Sequence, residues 1–320
     1  MSVYTDLSRA DIEAILASYA LGGYRAHQGI AAGIENSNFF IDTDTGRFVL
    51  TVFERMQADE LPYFMHLMRH LAGRGLSCPD VMVRSDGSLL FTAHGGMDHK
   101  WGCIISCLPG RTVERLNAAQ LHDAGRILAQ LHRAGADFSE RRPNPTGFAW
   151  LQSRIQGMRD DVAARYGEAA ADLLTDELVW QDRRREQALP GGVVHADYFC
   201  DNILFEGDAV SGVIDFYYAC DDAYAMDIAI ALNALAVSVV PDQGDGARMQ
   251  AFLAGYESVR PLEAAEHAAI PVLLRLAALR FWTSRLFDAL YPRPGAMTQV
   301  KDPEEYRAKL LFHRGDAGPG

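Results

Sequence analysis

The stretch HADYFCDNILFEGDAVSGVIDF, His195 to Phe216, decides how this chain folds. Asn202 to Phe205 reads as a strand, Glu206-Gly207-Asp208 as a turn, and Ala209 to Ile214 as the returning strand. An antiparallel return carries residue 202 back beside residues 213–215. The amide of Asn202 and the carboxylate of Asp215 then meet at the open end of the hairpin. Mg²⁺ takes oxygen donors, keeps several waters, and shares itself between one or two protein groups and substrate phosphates. Asn202 and Asp215 suit that role. Asp197, in the loop ahead of the first strand, is placed to orient a hydroxyl and accept its proton. Moving a γ-phosphoryl group is mostly positioning and charge neutralisation, and this layout offers both. His195 reads as an anchor of the loop through hydrogen bonds. A polar turn between two strands is the plain alternative for H-x-D and N alone, and the apolar strand ending in Ile214-Asp215-Phe216 argues against it.

The H-x-D-x-x-x-x-N loop with its apolar-D-F strand end resembles the kinase-like phosphotransferases, which include aminoglycoside phosphotransferases and choline kinases. Three further segments resemble the homoserine kinase branch. They are Gly33-Ile-Glu-Asn-Ser-Asn-Phe-Phe, the run from Ile214 through Met226-Asp-Ile-Ala-Ile-Ala-Leu-Asn, and Lys301-Asp-Pro-Glu-Glu-Tyr with Phe312-His-Arg. Together they span residues 3 to 314. The resemblance implies an α+β, two-lobed protein-kinase-like fold, with a small antiparallel-sheet N-lobe (1–108) and a larger, mainly helical C-lobe (109–320). It also implies ATP and L-homoserine as substrates, transfer to the side-chain hydroxyl for threonine biosynthesis, and Asp227 as a second anchor of the catalytic loop.

Composition sets outer bounds. A formal charge of −12 over 320 residues argues against nucleic acid, which is bound by neutralising phosphates with Lys and Arg. ATP needs only local positive charge and a metal. Five cysteines without CxxC spacing suit reduced cytoplasmic thiols. The N-terminus lacks a basic segment followed by an apolar core, and the apolar run Ala223–Val240 carries Asp227 and Asn233. Neither a signal peptide nor a membrane span is expected.

Periodicity predicts a helix over Leu7–Ala20 with Ser8 as N-cap, strands at Asn38–Asp42 and Arg47–Glu54, and a helix over Asp59–Arg74. Val81–Arg84 and Leu89–Thr92 read as a hairpin over Asp86-Gly87, and Trp101–Cys107 as a strand. Leu108-Pro109-Gly110 reads as a hinge. Helices follow at Ala118–Gly135 (N-cap Asn117), Trp150–Tyr166, Glu168–Ala188, Ala225–Val239, Gly246–Val259, Leu262–Leu290 and Pro303–Phe312. Pro271 is expected to kink or split the sixth of these.

On the nucleotide side, Gly33, Asn36 and Ser37 stand where a kinase carries its phosphate-covering loop. The strand lysine that such folds pair with a helix glutamate is absent: Thr51 occupies its place, as in the branch resembled, and Glu60 loosely matches the glutamate. Arg55 and Lys100 are candidate substitutes for that cation. On the acceptor side, a zwitterion needs an acid for its ammonium and a guanidinium for its carboxylate. Tyr217, Asp221, Asp222, Arg280 and Arg285 are the candidates. Acceptors such as choline or an aminoglycoside remain open, as does a silent binding protein, which Thr51 alone suggests.

Overall fold

The structure, a computed structural model, describes residues 5–30, 36–92, 100–184, 188–238, 244–292 and 301–315. Ser8 opens the first helix, α1 (Arg9–Leu16), by a reciprocal capping box. Its hydroxyl accepts the Asp11 amide, and the Asp11 carboxylate accepts the Ser8 amide. The strands β1 (Tyr24–Ile30), β2 (Asn36–Thr43) and β3 (Arg47–Phe53) follow. Helix α2 (Leu61–Gly73) separates them from β4 (Phe91–Thr92) and β5 (Trp101–Ser106). The five strands form one antiparallel sheet in the order β1-β2-β3-β5-β4. Phe39, Ile41, Leu50, Val52 and Ile104 bury on one face against Ile12, Ile15 and Leu16 of α1. Each such side chain contributes about 1.5–3 kcal/mol on burial, and a one-residue slip would turn the whole set to the other face. Packing, more than strand propensity, therefore fixes the register.

The remaining elements are α3 (Ala118–Ala134), α4 (Phe148–Tyr166), α5 (Glu168–Asp182), β6 (Gly191–Val194), β7 (Ile203–Glu206), β8 (Ala209–Val213), β9 (Cys220–Ala223), α6 (Tyr224–Ala231), α7 (Asp245–Glu257), α8 (Ala264–Leu290) and α9 (Pro303–Arg314). Helix α6 runs into a π-turn, Leu232–Ala236, whose last carbonyls accept from Arg248. Helices α3 and α7 touch closely at Gly125 and Gly255. A Cβ on Gly255 would lie 1.8 Å from the His122 carbonyl oxygen, so nothing larger than glycine fits there. A second core gathers Leu151, Ile155, Leu174, Trp282, Tyr306 and Leu310 from α4, α5, α8 and α9. The chain divides into two compact units: one holds residues up to Pro109 with Gly212–Ile214, and the other holds Gly110–Ser211, residues 215–292 and the C-terminal segment.

The expected α+β order, antiparallel sheet first and helices after, is what is found. Two local expectations are corrected. Residues 81–84 and 89–92 do not pair as a hairpin. The turn at Asp86-Gly87 forms, but Phe91 and Thr92 pair with β5, and Val81 bridges to Ile105. Burial of Val81 and Phe91 favours the sheet over the local pairing. Of the kink or split expected at Pro271, the split does not occur: α8 runs on through the proline, which lies two turns in and forfeits a single backbone bond. Buried Ala269, Ile270 and Leu274 hold the helix on either side of it.

Candidate active site

The hairpin that dominates the sequence forms as β7 and β8, joined through Gly207-Asp208 with Gly207 at φ 65. Helix α3 pins it. Gln120 Nε2 donates to the Gly207 carbonyl at 3.0 Å, Asn117 Nδ2 to Asp208 at 2.8 Å, and Asp123 accepts the Val210 amide at 2.8 Å. Asn202 stands just before β7, at the end of a short 3-10 turn, and Asp215 stands two residues beyond β8. Both thus flank the open end of the hairpin. Asp215 is left-handed, φ 64 and ψ 64, a conformation that costs an aspartate energy and turns the chain sharply there.

The loop before the hairpin is held atom by atom. Asp227, fully buried near the start of α6, accepts the amides of His195 and Ala196, both at 2.8 Å. Ala196 is left-handed at φ 62, and its carbonyl accepts Arg280 Nη1 at 3.1 Å. The Asp197 amide donates to His195 Nδ1 at 3.3 Å. Asn202 Nδ2 then reaches back to the Asp197 carbonyl at 2.9 Å and to its carboxylate Oδ2 at 3.0 Å. Asp197 and Asn202 are therefore in direct contact. The amide oxygen of Asn202 accepts no hydrogen bond among the described residues.

Two residues not singled out from sequence brace this loop. His132, buried near the end of α3, places Nε2 3.0 Å from Asp227 Oδ2 and Nδ1 2.7 Å from the Tyr256 hydroxyl. Burial pushes the His132 pKa down, against the pull of Asp227. For Asp227 burial pushes upward, but the His132 bond and the charges around it win, and the carboxyl stays below its usual value. Asp227 is thus the charged partner. Replacing His132 with phenylalanine removes one of its donors, a loss worth about 1–3 kcal/mol for a buried charged group. Urea unfolding should report that loss of stability; an unchanged midpoint would dismiss the brace. The second residue is Thr146, whose hydroxyl donates to Asn144 at 3.0 Å and accepts Arg280 Nε at 3.1 Å. Helical spacing could have flagged His132, four residues past Leu128 on the same face of α3; nothing local marks Thr146.

The acceptor-side candidates are placed unequally. Tyr217 lies in the short turn after Asp215. Asp221 pairs with Arg141 at 2.9 Å and accepts the Arg142 amide at 2.7 Å. Asp222 accepts Asn144 Nδ2 at 2.5 Å, and burial raises its pKa. Strands β6 and β9 set both acids beside the loop, with Asp221 opposite Val193 and Asp222 opposite Gly192. Arg285 is engaged by Glu305 at 2.6 Å and by the Asp302 carbonyl at 2.8 Å. Arg280 is 4 % exposed and has no carboxylate in ion-pair range among the described residues.

In the sheet unit, Gly33 lies outside the described residues. Asn36 and Thr51 share one face by strand alternation, and the Thr51 hydroxyl donates to Asn38 at 2.8 Å. Ser37 points to the opposite face, where its hydroxyl donates to Glu54 and accepts the Thr5 amide. Lys100 joins that same cluster, 2.5 Å from Glu54 and 2.8 Å from the Thr5 hydroxyl. Lys100 therefore does not take the lysine position on the Thr51 face. Arg55 and Glu60 are exposed, Glu60 immediately before α2.

A sheet with a helical partner unit, and a loop bearing an aspartate and an asparagine ahead of a hairpin closed by an aspartate, define a kinase-like phosphotransferase. The chain belongs to the phosphotransferase enzyme family, whose model matches residues 26–262. Among its relatives, a homoserine kinase of Xanthobacter autotrophicus is 45% identical, covering 98% of this chain and 96% of the relative. A homoserine kinase of Parvibaculum lavamentivorans is 43% identical, covering 100% and 98%. Solved structures share the fold at low identity. An amicoumacin kinase in complex with AMP-PNP and Ca²⁺ has a TM-score of 0.72 at 16% identity, with 97% of this chain and 93% of that one covered. Choline kinase from Cryptosporidium parvum has a TM-score of 0.65 at 13% identity, with 97% and 95% covered. No helix among the described residues is long and apolar enough to cross a membrane.

Proposed function

We propose that this chain is an ATP-dependent kinase that phosphorylates the side-chain hydroxyl of L-homoserine, giving O-phospho-L-homoserine for threonine biosynthesis in the cytoplasm. The observation that carries the chemistry is the Asp197–Asn202 contact at the open end of the hairpin that Asp215 closes. The acceptor follows from the homoserine kinases, 42–45% identical over nearly the whole chain.

In this reading the Asp197 carboxylate orients the homoserine hydroxyl and takes its proton as the oxygen attacks the γ-phosphorus. Asn202 and Asp215 hold a divalent cation, Mg²⁺ with ATP. Two oxygen donors suit Mg²⁺, which fills its sphere with waters and phosphate oxygens and asks the protein for one or two ligands. The Asn202 orientation fits as well: Nδ2 is spent on Asp197, and Oδ1 is left to face a cation. When bound, the metal neutralises charge on the phosphates. His195 and Asp227 hold the loop. The face bearing Asn36 and Thr51, together with Gly33, is assigned to the nucleotide. Ser37 and Glu60 are expected to support it from outside the phosphate contacts. Of the acids near the loop, Asp222 is assigned to the acceptor ammonium. A bound cation would relieve the burial that now raises its pKa, whereas Asp221 already has Arg141.

An acceptor panel tests the reading. ADP release by purified protein with Mg²⁺-ATP should be fast with L-homoserine and near the no-acceptor rate with choline or kanamycin. Preference for choline or kanamycin would reject homoserine as the acceptor, and no release with any of them would reject a kinase of this class.

A further inference from the structure

We infer that Arg280 is a positioning residue for the phosphotransfer step, one half of a two-sided grip on the peptide that leads into Asp197. That peptide joins Ala196 to Asp197. Its carbonyl oxygen accepts Arg280 Nη1 at 3.1 Å, and its N–H donates to His195 Nδ1 at 3.3 Å. Both polar atoms of the plane are therefore held, and the plane sets where the Asp197 side chain starts. One residue earlier, Asp227 accepts the amides of His195 and Ala196. An anion thus grips the amides on one side and a cation the carbonyl on the other.

The grip has a reason. Ala196 is left-handed, φ 62, a conformation that an L-residue with a Cβ adopts only at a cost. Left unrestrained, the chain would relax away from it and swing the Asp197 carboxylate. A charged donor on the carbonyl is stronger than a neutral one and opposes that rotation. Arg280 is itself fixed. Its Nε donates to Thr146, its guanidinium carbon lies 4.1 Å from the Phe281 ring centroid, and only 4 % of it is exposed. Burying a guanidinium with only neutral oxygen acceptors is costly, and such a group is kept where its geometry is needed. Arg285, five residues on, reaches no part of this loop and binds Glu305 instead.

The inference rests on Asp197 being the base. Arg280→Met keeps most of the stem and removes the donors; Arg280→Lys keeps the charge with a single nitrogen; Thr146→Val removes the hydroxyl that aims the guanidinium. Steady-state kinetics on full-length protein should show kcat lowered roughly 10- to 100-fold in Arg280→Met, the scale of a small misplacement of a reacting group. KM for ATP and for homoserine should hold, with Arg280→Lys in between and Thr146→Val lowered less. A homoserine KM that rises while kcat holds would overturn the inference and make Arg280 a contact of the acceptor carboxylate. Unchanged kcat in Arg280→Met would overturn it too. Should Arg280→Met fail to fold, Thr146→Val decides: a lower kcat at constant KM supports the grip, and wild-type kcat ends it. Activity of Asp197→Asn separates the two levels. If that variant turns over normally, the base assignment fails. If it is inactive while the Arg280 variants are normal, only the grip fails.

Discussion

Asp197→Asn is expected to lower turnover roughly 10²–10⁴-fold, the range for removing a positioned general base, and to leave ATP binding in place. The substitution is nearly isosteric. Asparagine keeps the backbone contacts of residue 197, so the Ala196 carbonyl still meets Arg280 and the residue 197 amide still meets His195. What it removes is the proposed acceptor for the hydroxyl proton. The Asn202 Nδ2 bond to Oδ2 survives if the new amide presents its oxygen, so the neighbouring group need not move. The effect should fall on kcat with homoserine, while nucleotide affinity, measured by titration calorimetry with a non-hydrolysable ATP analogue, stays near the unmodified value. A folded variant with unmodified kcat would take Asp197 out of the mechanism.

The ease of reading differs sharply along this chain, and the difference is one of sequence distance. The β7–β8 hairpin is legible because everything that makes it is local: a glycine in the turn, apolar alternation on both sides, and polar residues at the open end. α1 and α3 are legible for the same reason, as Ser8–Asp11 and Asn117–Gln120 are capping boxes within a single turn. β1 escapes because YRAHQGI is a half-exposed edge strand with no apolar alternation. β6 and β9 escape because each is four residues long and pairs with the other about thirty positions away. The braces of the loop lie farther still: His132 meets Asp227 across 95 positions, and Arg280 meets Ala196 across 84. In sequence Arg280 and Arg285 look alike. Only the fold gives one to the loop and the other to Glu305. The missing strand lysine is legible as an absence. That Lys100 sits with Glu54 on the other face of the sheet is a matter of strand parity, and parity needs the register.

Asp215→Ala and Asn202→Ala are expected to act through the metal, with Asp215 the more severe. Both residues stand at one end of the hairpin, and both offer oxygen. They differ in charge. A carboxylate on a divalent cation contributes more Coulomb energy than a neutral amide oxygen. Losing it weakens the hold on the metal and leaves the phosphates less neutralised as charge moves toward the leaving oxygen. Asp215 also sits in a left-handed conformation that alanine bears poorly, so Asp215→Asn belongs beside Asp215→Ala: it keeps the shape and removes the charge. The expected result is a rise in the Mg²⁺ concentration for half-maximal rate in all three variants. Asp215→Ala and Asp215→Asn should also lose roughly 10²-fold or more in kcat at saturating metal, the scale on which a preorganised charge contact counts in a transition state. Asn202→Ala carries a second cost, because its Nδ2 holds both oxygens of Asp197 that face it. Its kcat should therefore fall even where excess Mg²⁺ restores binding. The measurement is initial rate against free Mg²⁺ at fixed, saturating ATP. Identical metal titrations for the unmodified and Asp215→Asn proteins would remove Asp215 from the metal site, whatever became of the rate.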